Sequence, residues 1–125
     1  MKKVLSVGQC PPDHAALKYF MESFFDSQVT RIDSTEEALL ELEKNTYALV
    51  LVNRKLDIDY TDGTILIEKM QEKEMLKKTP VMLISNFPEY QDQAVALGAV
   101  KGFGKNEIGT KTALERVSAY IPLKS

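Results

Sequence analysis

The sequence predicts an α/β fold, a doubly wound parallel sheet with helices on both faces, and three observations predict it. Ala48–Val52 and Val81–Ile84 are unbroken apolar runs rich in branched side chains, the pattern of strands buried on both faces. Short apolar runs alternate along the whole chain with stretches of helical spacing, which implies right-handed βαβ crossovers. The two central runs end on polar residues, Asn53 and Ser85, at the carboxyl edge where open α/β sheets place ligands and chemistry.

In chain order, Lys2–Val7 is the first strand. Gly8-Gln9-Cys10-Pro11-Pro12 reads as a loop, because two prolines cannot sit in a central strand. Asp13 is a good N-cap for a helix from His14 to about Phe25, with Leu17, Phe20, Met21, Phe24 and Phe25 at helical spacing. Val29–Ile32 is a more polar, edge-like strand. Ser34-Thr35-Glu36-Glu37 is a capping box that starts a helix to about Lys44 and buries Ala38, Leu39 and Leu42. The third strand and an acidic loop, Asp57–Asp62, lead to a helix opened near Gly63 that carries Ile65, Leu66, Met70 and Met75. Val81–Ile84 is the fourth strand. A helix over Tyr90–Leu97 stops at Gly98, a C-cap residue. Val100–Phe103 is the fifth strand, and the last helix runs from Gly109 or Thr110 to Tyr120, where Pro122 follows. There is no internal repeat, low-complexity tract or linker, so residues 1–125 are expected to be a single domain.

Composition excludes several classes. A net charge of −2 gives no basic field for nucleic acid. No run is long enough to span a membrane, and the apolar stretch after the opening Met-Lys-Lys is too short for a signal peptide. The single Cys10 cannot form an internal disulfide, which fits a reducing cytoplasm. No GxGxxG or Walker pattern follows the first strand, and GQCPPD is no flavin phosphate loop.

Two local patterns suggest chemistry and fall short of it. Cys10 lies between a strand and a helix N-terminus, a place that can lower a thiol pKa. A phosphate cradle there needs backbone N–H donors, and Pro11 and Pro12 remove two. Asp57 to Gly63 looks like a Ca²⁺ loop with Glu68 in the twelfth place, but the glycine is one residue late. His14, the sole histidine, reads as a first-turn surface residue.

With Asp62-Gly63 opening the third helix, Ser85 at the end of the fourth strand, Lys105 at the end of the fifth and Leu97-Gly98-Ala99 leading into it, the chain as a whole resembles the receiver domain of bacterial response regulators. Asp62-Gly63 matches the family's pair at the start of the third helix. Ser85 matches the hydroxyl ending the fourth strand, Lys105 the lysine ending the fifth, and Leu97-Gly98-Ala99 the approach to that strand. The resemblance implies a flavodoxin-like (βα)5 fold with strand order 2-1-3-4-5. The departures are as telling. Gly8 and Gln9 stand where the family has a Mg²⁺-binding acidic pair, and Asn53 stands at the phosphoacceptor aspartate. Asn106 replaces a proline, Gly102 lies where many members carry a switching aromatic, and the loop after Asn53 is longer than usual.

An amide is neutral, a poor nucleophile, and cannot form an acyl phosphate. Mg²⁺ wants carboxylates, and none remains at the matched positions. The expectation is a degenerate pseudo-receiver with no enzymatic activity, cofactor or metal. It would signal through protein–protein contact with a partner or a second copy. In the family the face of the fourth helix, fifth strand and fifth helix carries partners. Here that implies Phe87, Tyr90, Val95, Lys101, Phe103, Lys111 and Arg116. An unpaired buried ammonium is costly, so Lys105 is expected to bond Asn53, reach solvent or pair with Asp57 or another loop acid. The alternative class is a phosphorylated response regulator or a small phosphoryl-transfer protein using Asp57, Asp59 or Cys10 as an unconventional acceptor.

Overall fold

The computed structural model describes residues 1–124. Its elements are β1 (Lys2–Val7), α1 (Pro11–Phe24), β2 (Ser27–Ile32), α2 (Thr35–Lys44), β3 (Leu49–Asn53), α3 (Thr64–Glu72), β4 (Val81–Ile84), α4 (Pro88–Ala96), β5 (Val100–Phe103) and α5 (Lys111–Ser118). Single 3₁₀ turns cover Met75–Lys77 and Lys105–Glu107. The five strands form one parallel sheet in the order β2-β1-β3-β4-β5, as the resemblance implied.

The two-residue period of β3 divides the core. Leu49 and Leu51 join a cluster with Phe20, Phe25, Phe103 and Val117, on the side of α1 and α5. Val50 and Val52 face the other way, to a cluster with Ala38, Leu66, Ile67, Met70 and Ala94, on the side of α2, α3 and α4. All four β3 side chains are fully buried, each contributing about 2 kcal/mol of transfer free energy.

The helix starts differ from expectation in one instructive way. Helices α1 and α4 begin three and two residues earlier than read, each with proline in the first turn. Proline is at home there, where its missing N–H has no intrahelical partner. Cys10, not Asp13, is therefore the N-cap of α1, and Asp13 sits in the first turn. Met75 belongs to the separate 3₁₀ turn, not to α3. Ser34 caps α2 as read, its Oγ accepting from the Glu37 N–H at 3.2 Å. Gly98 takes φ +114° after α4, a conformation that favours glycine.

β5 carries an irregularity. Met82 pairs with Val100 and Ile84 with Phe103, so β5 spends one more residue than β4 between the two pairings. The extra residue is the mark of a bulge, and it lies at Lys101-Gly102.

Candidate functional site

The carboxyl ends of β3, β4 and β5 converge on one depression. Asn53, Ser85 and Lys105 all line it, together with Arg54, Lys55, Ile84, Asn86, Phe87 and Tyr90. Three positions picked from the sequence therefore meet in space. Gly8 joins them through the backbone, whereas Gln9 is buried beside it and does not line the depression.

Asn53 is used as a hydrogen-bond donor. Its Nδ2 donates to the Lys55 carbonyl at 2.7 Å and more weakly to the Gly8 carbonyl at 3.4 Å. The Gly8 carbonyl also accepts from the Asp57 N–H at 2.9 Å. The amide thus binds the end of β1 to the loop after β3, which a carboxylate could not do while ionised. Replacing Asn53 by Asp is expected to cost about 1–2 kcal/mol at neutral pH, through a lost donor and repulsion from the two carbonyls. The folded-state pKa of that Asp would be raised, because only its protonated form can donate. The deficit should therefore shrink as pH falls below that raised pKa and be full above it. Urea titrations of both proteins across acid and neutral pH measure this.

The first of the two acid positions is filled by the chain itself. Gly8 has φ +74°, and a Cβ placed on it would come within 2.3 Å of Leu56 Cδ2 and 3.0 Å of Leu56 Cα. Leu56, fully buried, comes from the lengthened loop after Asn53. Gly63 is required by closeness rather than by φ: its Cβ would lie 2.0 Å from the Asn53 carbonyl oxygen. Asp62 closes the loop by accepting from the Thr64 N–H and hydroxyl at 3.0 and 2.9 Å. At the second acid position, neither side-chain polar atom of the buried Gln9 has a hydrogen-bond partner among the described residues.

Lys105 takes none of its expected partners. Its Nζ pairs with Asp13 Oδ2 at 2.5 Å, an acid from the first turn of α1. Burial of the Asp13 carboxyl raises its pKa, but hydrogen bonds from Lys105 and from the Cys10 thiol outweigh this and leave it below the ordinary value. A depressed carboxyl pKa stabilises the fold above the unfolded pKa of about 3.9 and ceases to as pH falls through the folded value. Asp13→Asn should cost about 1 kcal/mol at neutral pH, given that both side chains keep some solvent contact. The difference from the parent should close in acid, as paired thermal melts would show.

These side chains do not suit Mg²⁺. The polar lining of the depression is two amides, two hydroxyls and three cations, with no carboxylate among the described residues. No cluster of three or more His, Cys, Asp or Glu that could hold a metal occurs among them either. Asp59 is exposed, and its pKa is lowered by hydrogen bonds from the Thr61 hydroxyl and N–H, at 2.7 and 3.0 Å. Asp57 is exposed on the same loop, and the half-buried Cys10 faces Asp13. His14 sits with Nδ1 3.5 Å from Ser6 Oγ, its pKa lowered by burial and then by the charge of Arg31. Ser85 is buried, with its Oγ accepting from the Phe87 N–H at 3.2 Å, a local turn bond.

The face of α4, β5 and α5 needs one correction and two refinements. Phe103 is fully buried against Phe20 and cannot meet a partner; the bulge in the short β5 defeats simple alternation. Tyr90 is half-buried under the Arg54 guanidinium, 4.0 Å from its ring centroid. Arg116 is turned inward, donating to the Gly102 carbonyl. Phe87, Val95, Lys101 and Lys111 are exposed.

Sequence reasoning missed four residues that shape this edge: Asp13, Leu56, Asn86 and Gln91. Asn86 Oδ1 accepts from the Asn106 N–H at 3.0 Å, a bond that the usual proline could not make, so the Asn106 substitution has a structural use. The only signal for it was the missing proline.

No protein-family model matches the sequence, and no curated protein matches it. Solved structures do match. A Chloroflexus aurantiacus response regulator is 19% identical, with a TM-score of 0.82 over 95% of this chain and 96% of that one. The Vibrio cholerae chemotaxis protein CheY4 is 18% identical, with a TM-score of 0.76 over 96% and 98%. A CheY-like receiver domain from Methylobacillus flagellatus is 18% identical, with a TM-score of 0.74 over 95% and 97%. The chain has the flavodoxin-like fold of CheY and the response-regulator receiver domains, with its strands in the order 2-1-3-4-5.

Proposed function

We propose that residues 1–125 form one receiver-like signalling unit of a two-component or related pathway. It is a pseudo-receiver: it acts in the cytoplasm by protein–protein contact, is not phosphorylated and catalyses no reaction. The observation that carries this reading is the use of Asn53 as a donor to the carbonyls of Lys55 and Gly8. A phosphoacceptor must present a free carboxylate to its donor. Leu56 packed over Gly8 supports the reading, since it fills the space of the first metal-binding acid. The exposed Phe87, Val95, Lys101 and Lys111 on the α4–β5–α5 face are the contact residues proposed for a protein partner or a second copy.

The test is incubation with acetyl phosphate, and separately with beryllofluoride, each with Mg²⁺. Intact-mass spectra should show no added phosphoryl group, and amide spectra no shift around Asn53. A stoichiometric acid-labile adduct on Asp57, Asp59 or any other aspartate, or a phosphothiol on Cys10, would overturn the reading.

A further inference from the structure

We infer that the depression beside Asn53 binds a small organic monoanion, a carboxylate carried on an apolar or aromatic body, without a metal. The inference rests on the reading that position 53 carries no phosphoryl group. The depression holds about 250 Å³, room for a ligand the size of a substituted benzene ring.

Its charge selects the ligand. Arg54, Lys55 and Lys105 line it, and no carboxylate does so among the described residues. Two of the three cations already face an acid from outside, Lys105 with Asp13 and Arg54 with Asp62, the latter at 3.8 Å. Lys55 has no ion-pair partner among the described residues, and its exposed side chain can move to meet a ligand. One net positive charge remains, which suits a monoanion better than a phosphate dianion. Arg54 Nε is buried and makes no hydrogen bond, because it lies 3.8 Å from Asp62 Oδ2, so the pairing with Asp62 leaves the guanidinium incompletely satisfied. A planar guanidinium with free N–H groups matches a carboxylate in geometry as well as charge.

Its walls select the rest of the ligand. Ile84, Phe87 and Tyr90 supply apolar surface. The Tyr90 ring is held by the Arg54 guanidinium, 4.0 Å from its centroid, and by Phe87 edge-on at 5.8 Å. Phe87 is 56% exposed, an aromatic surface that an apolar ligand body would cover. An aromatic pair already set in place spares a ligand much of the ordering cost of binding.

The carboxylate can come from a free small acid or from the C-terminus of a peptide chain. Amide spectra of the full chain are recorded with phenylacetate, with its neutral isostere phenylacetamide, and with a short peptide ending in phenylalanine as free acid or as amide. The expected result is a saturable shift confined to residues around Arg54, Lys55, Ser85 and Tyr90 with at least one carboxylate, unchanged by EDTA and absent with both neutral forms. The tighter of the two carboxylates names the source. Lys55→Gln should weaken binding by about tenfold, while Lys44→Gln, at the exposed end of α2, should not alter it. Absence of a saturable shift up to about 10 mM, an equal response to the neutral compounds, or an undiminished affinity in Lys55→Gln each overturns the inference. A covalent mass increase in the phosphorylation assay overturns the underlying reading instead, and a reversible titration cannot be mistaken for it.

Discussion

Gly8→Asp is expected to destabilise the protein by roughly 3 kcal/mol, although it restores the acid that the receiver pattern places there. Two costs add. The residue sits at φ +74°, where a side chain costs about 1 kcal/mol or more relative to glycine. The new Cβ would then lie 2.3 Å from Leu56 Cδ2 and 3.0 Å from Leu56 Cα. A rotamer change can relieve the first contact but not the second, because the Leu56 backbone is tied down. Its N–H donates to the Thr61 carbonyl at 2.9 Å, and the Asp57 N–H after it donates to Gly8 itself at 2.9 Å. The melting temperature should fall by about 10 °C for a chain of this size.

A double-mutant cycle sharpens the test. Leu56→Ala alone should cost about 2–4 kcal/mol, since Leu56 is fully buried. Combined with Gly8→Asp it should cost less than the sum, because the cavity receives the new carboxylate. Strict additivity would show that the side chains at 8 and 56 do not compete for one space. The consequence for function is that the chain is not one substitution away from a metal site: the loop after β3 would have to be rebuilt.

How much of this was legible in the sequence depends on the range of the interaction. β3 and β4 announced themselves because strands buried on both faces must be apolar throughout, and Leu49–Val52 and Val81–Ile84 are. Asn53, Ser85 and Lys105 line one depression because each stands at or just past the end of a strand, and a parallel sheet brings strand ends to one edge. Pro11 misled, since proline reads alike as a loop residue and as the first residue of a helix. The partner of Lys105 was illegible for a different reason. Asp13 lies in the first turn of α1 and meets Lys105 only through tertiary packing, so no local spacing connects the two. Leu56 had no signal either: an apolar residue among polar ones in a loop gives no hint of what it covers. The orientation of Phe103 depends on the extra residue in β5, and bulges leave little trace in a four-residue strand.

Gln91→Leu should lower stability by about 3 kcal/mol, despite exchanging a polar side chain for an apolar one of similar size at a buried position. Gln91 is 6% exposed and makes three hydrogen bonds, all to backbone. Its Nε2 donates to the Leu83 and Ser85 carbonyls at 2.9 and 3.1 Å, and its Oε1 accepts from the Gly102 N–H at 3.0 Å. The side chain thus bridges β4 and β5 where the bulge interrupts their ladder. Leucine would strip partners from three backbone groups, each costing about 1–3 kcal/mol, and recover about 1–2 kcal/mol by apolar burial. Gly102 completes the arrangement. A Cβ on it would lie 2.2 Å from the Leu83 carbonyl oxygen, and its own carbonyl is held by Arg116. With both backbone polar groups of Gly102 held by side chains from α4 and α5, this edge is expected to keep one geometry. Hydrogen exchange tests that claim directly. The Gly102 amide should be among the protected ones in the parent and should exchange about a hundredfold faster in Gln91→Leu. Equal protection in the two proteins, or a stability loss under about 0.5 kcal/mol, would mean that the ladder closes across the bulge unaided and that the face of α4, β5 and α5 is free to rearrange.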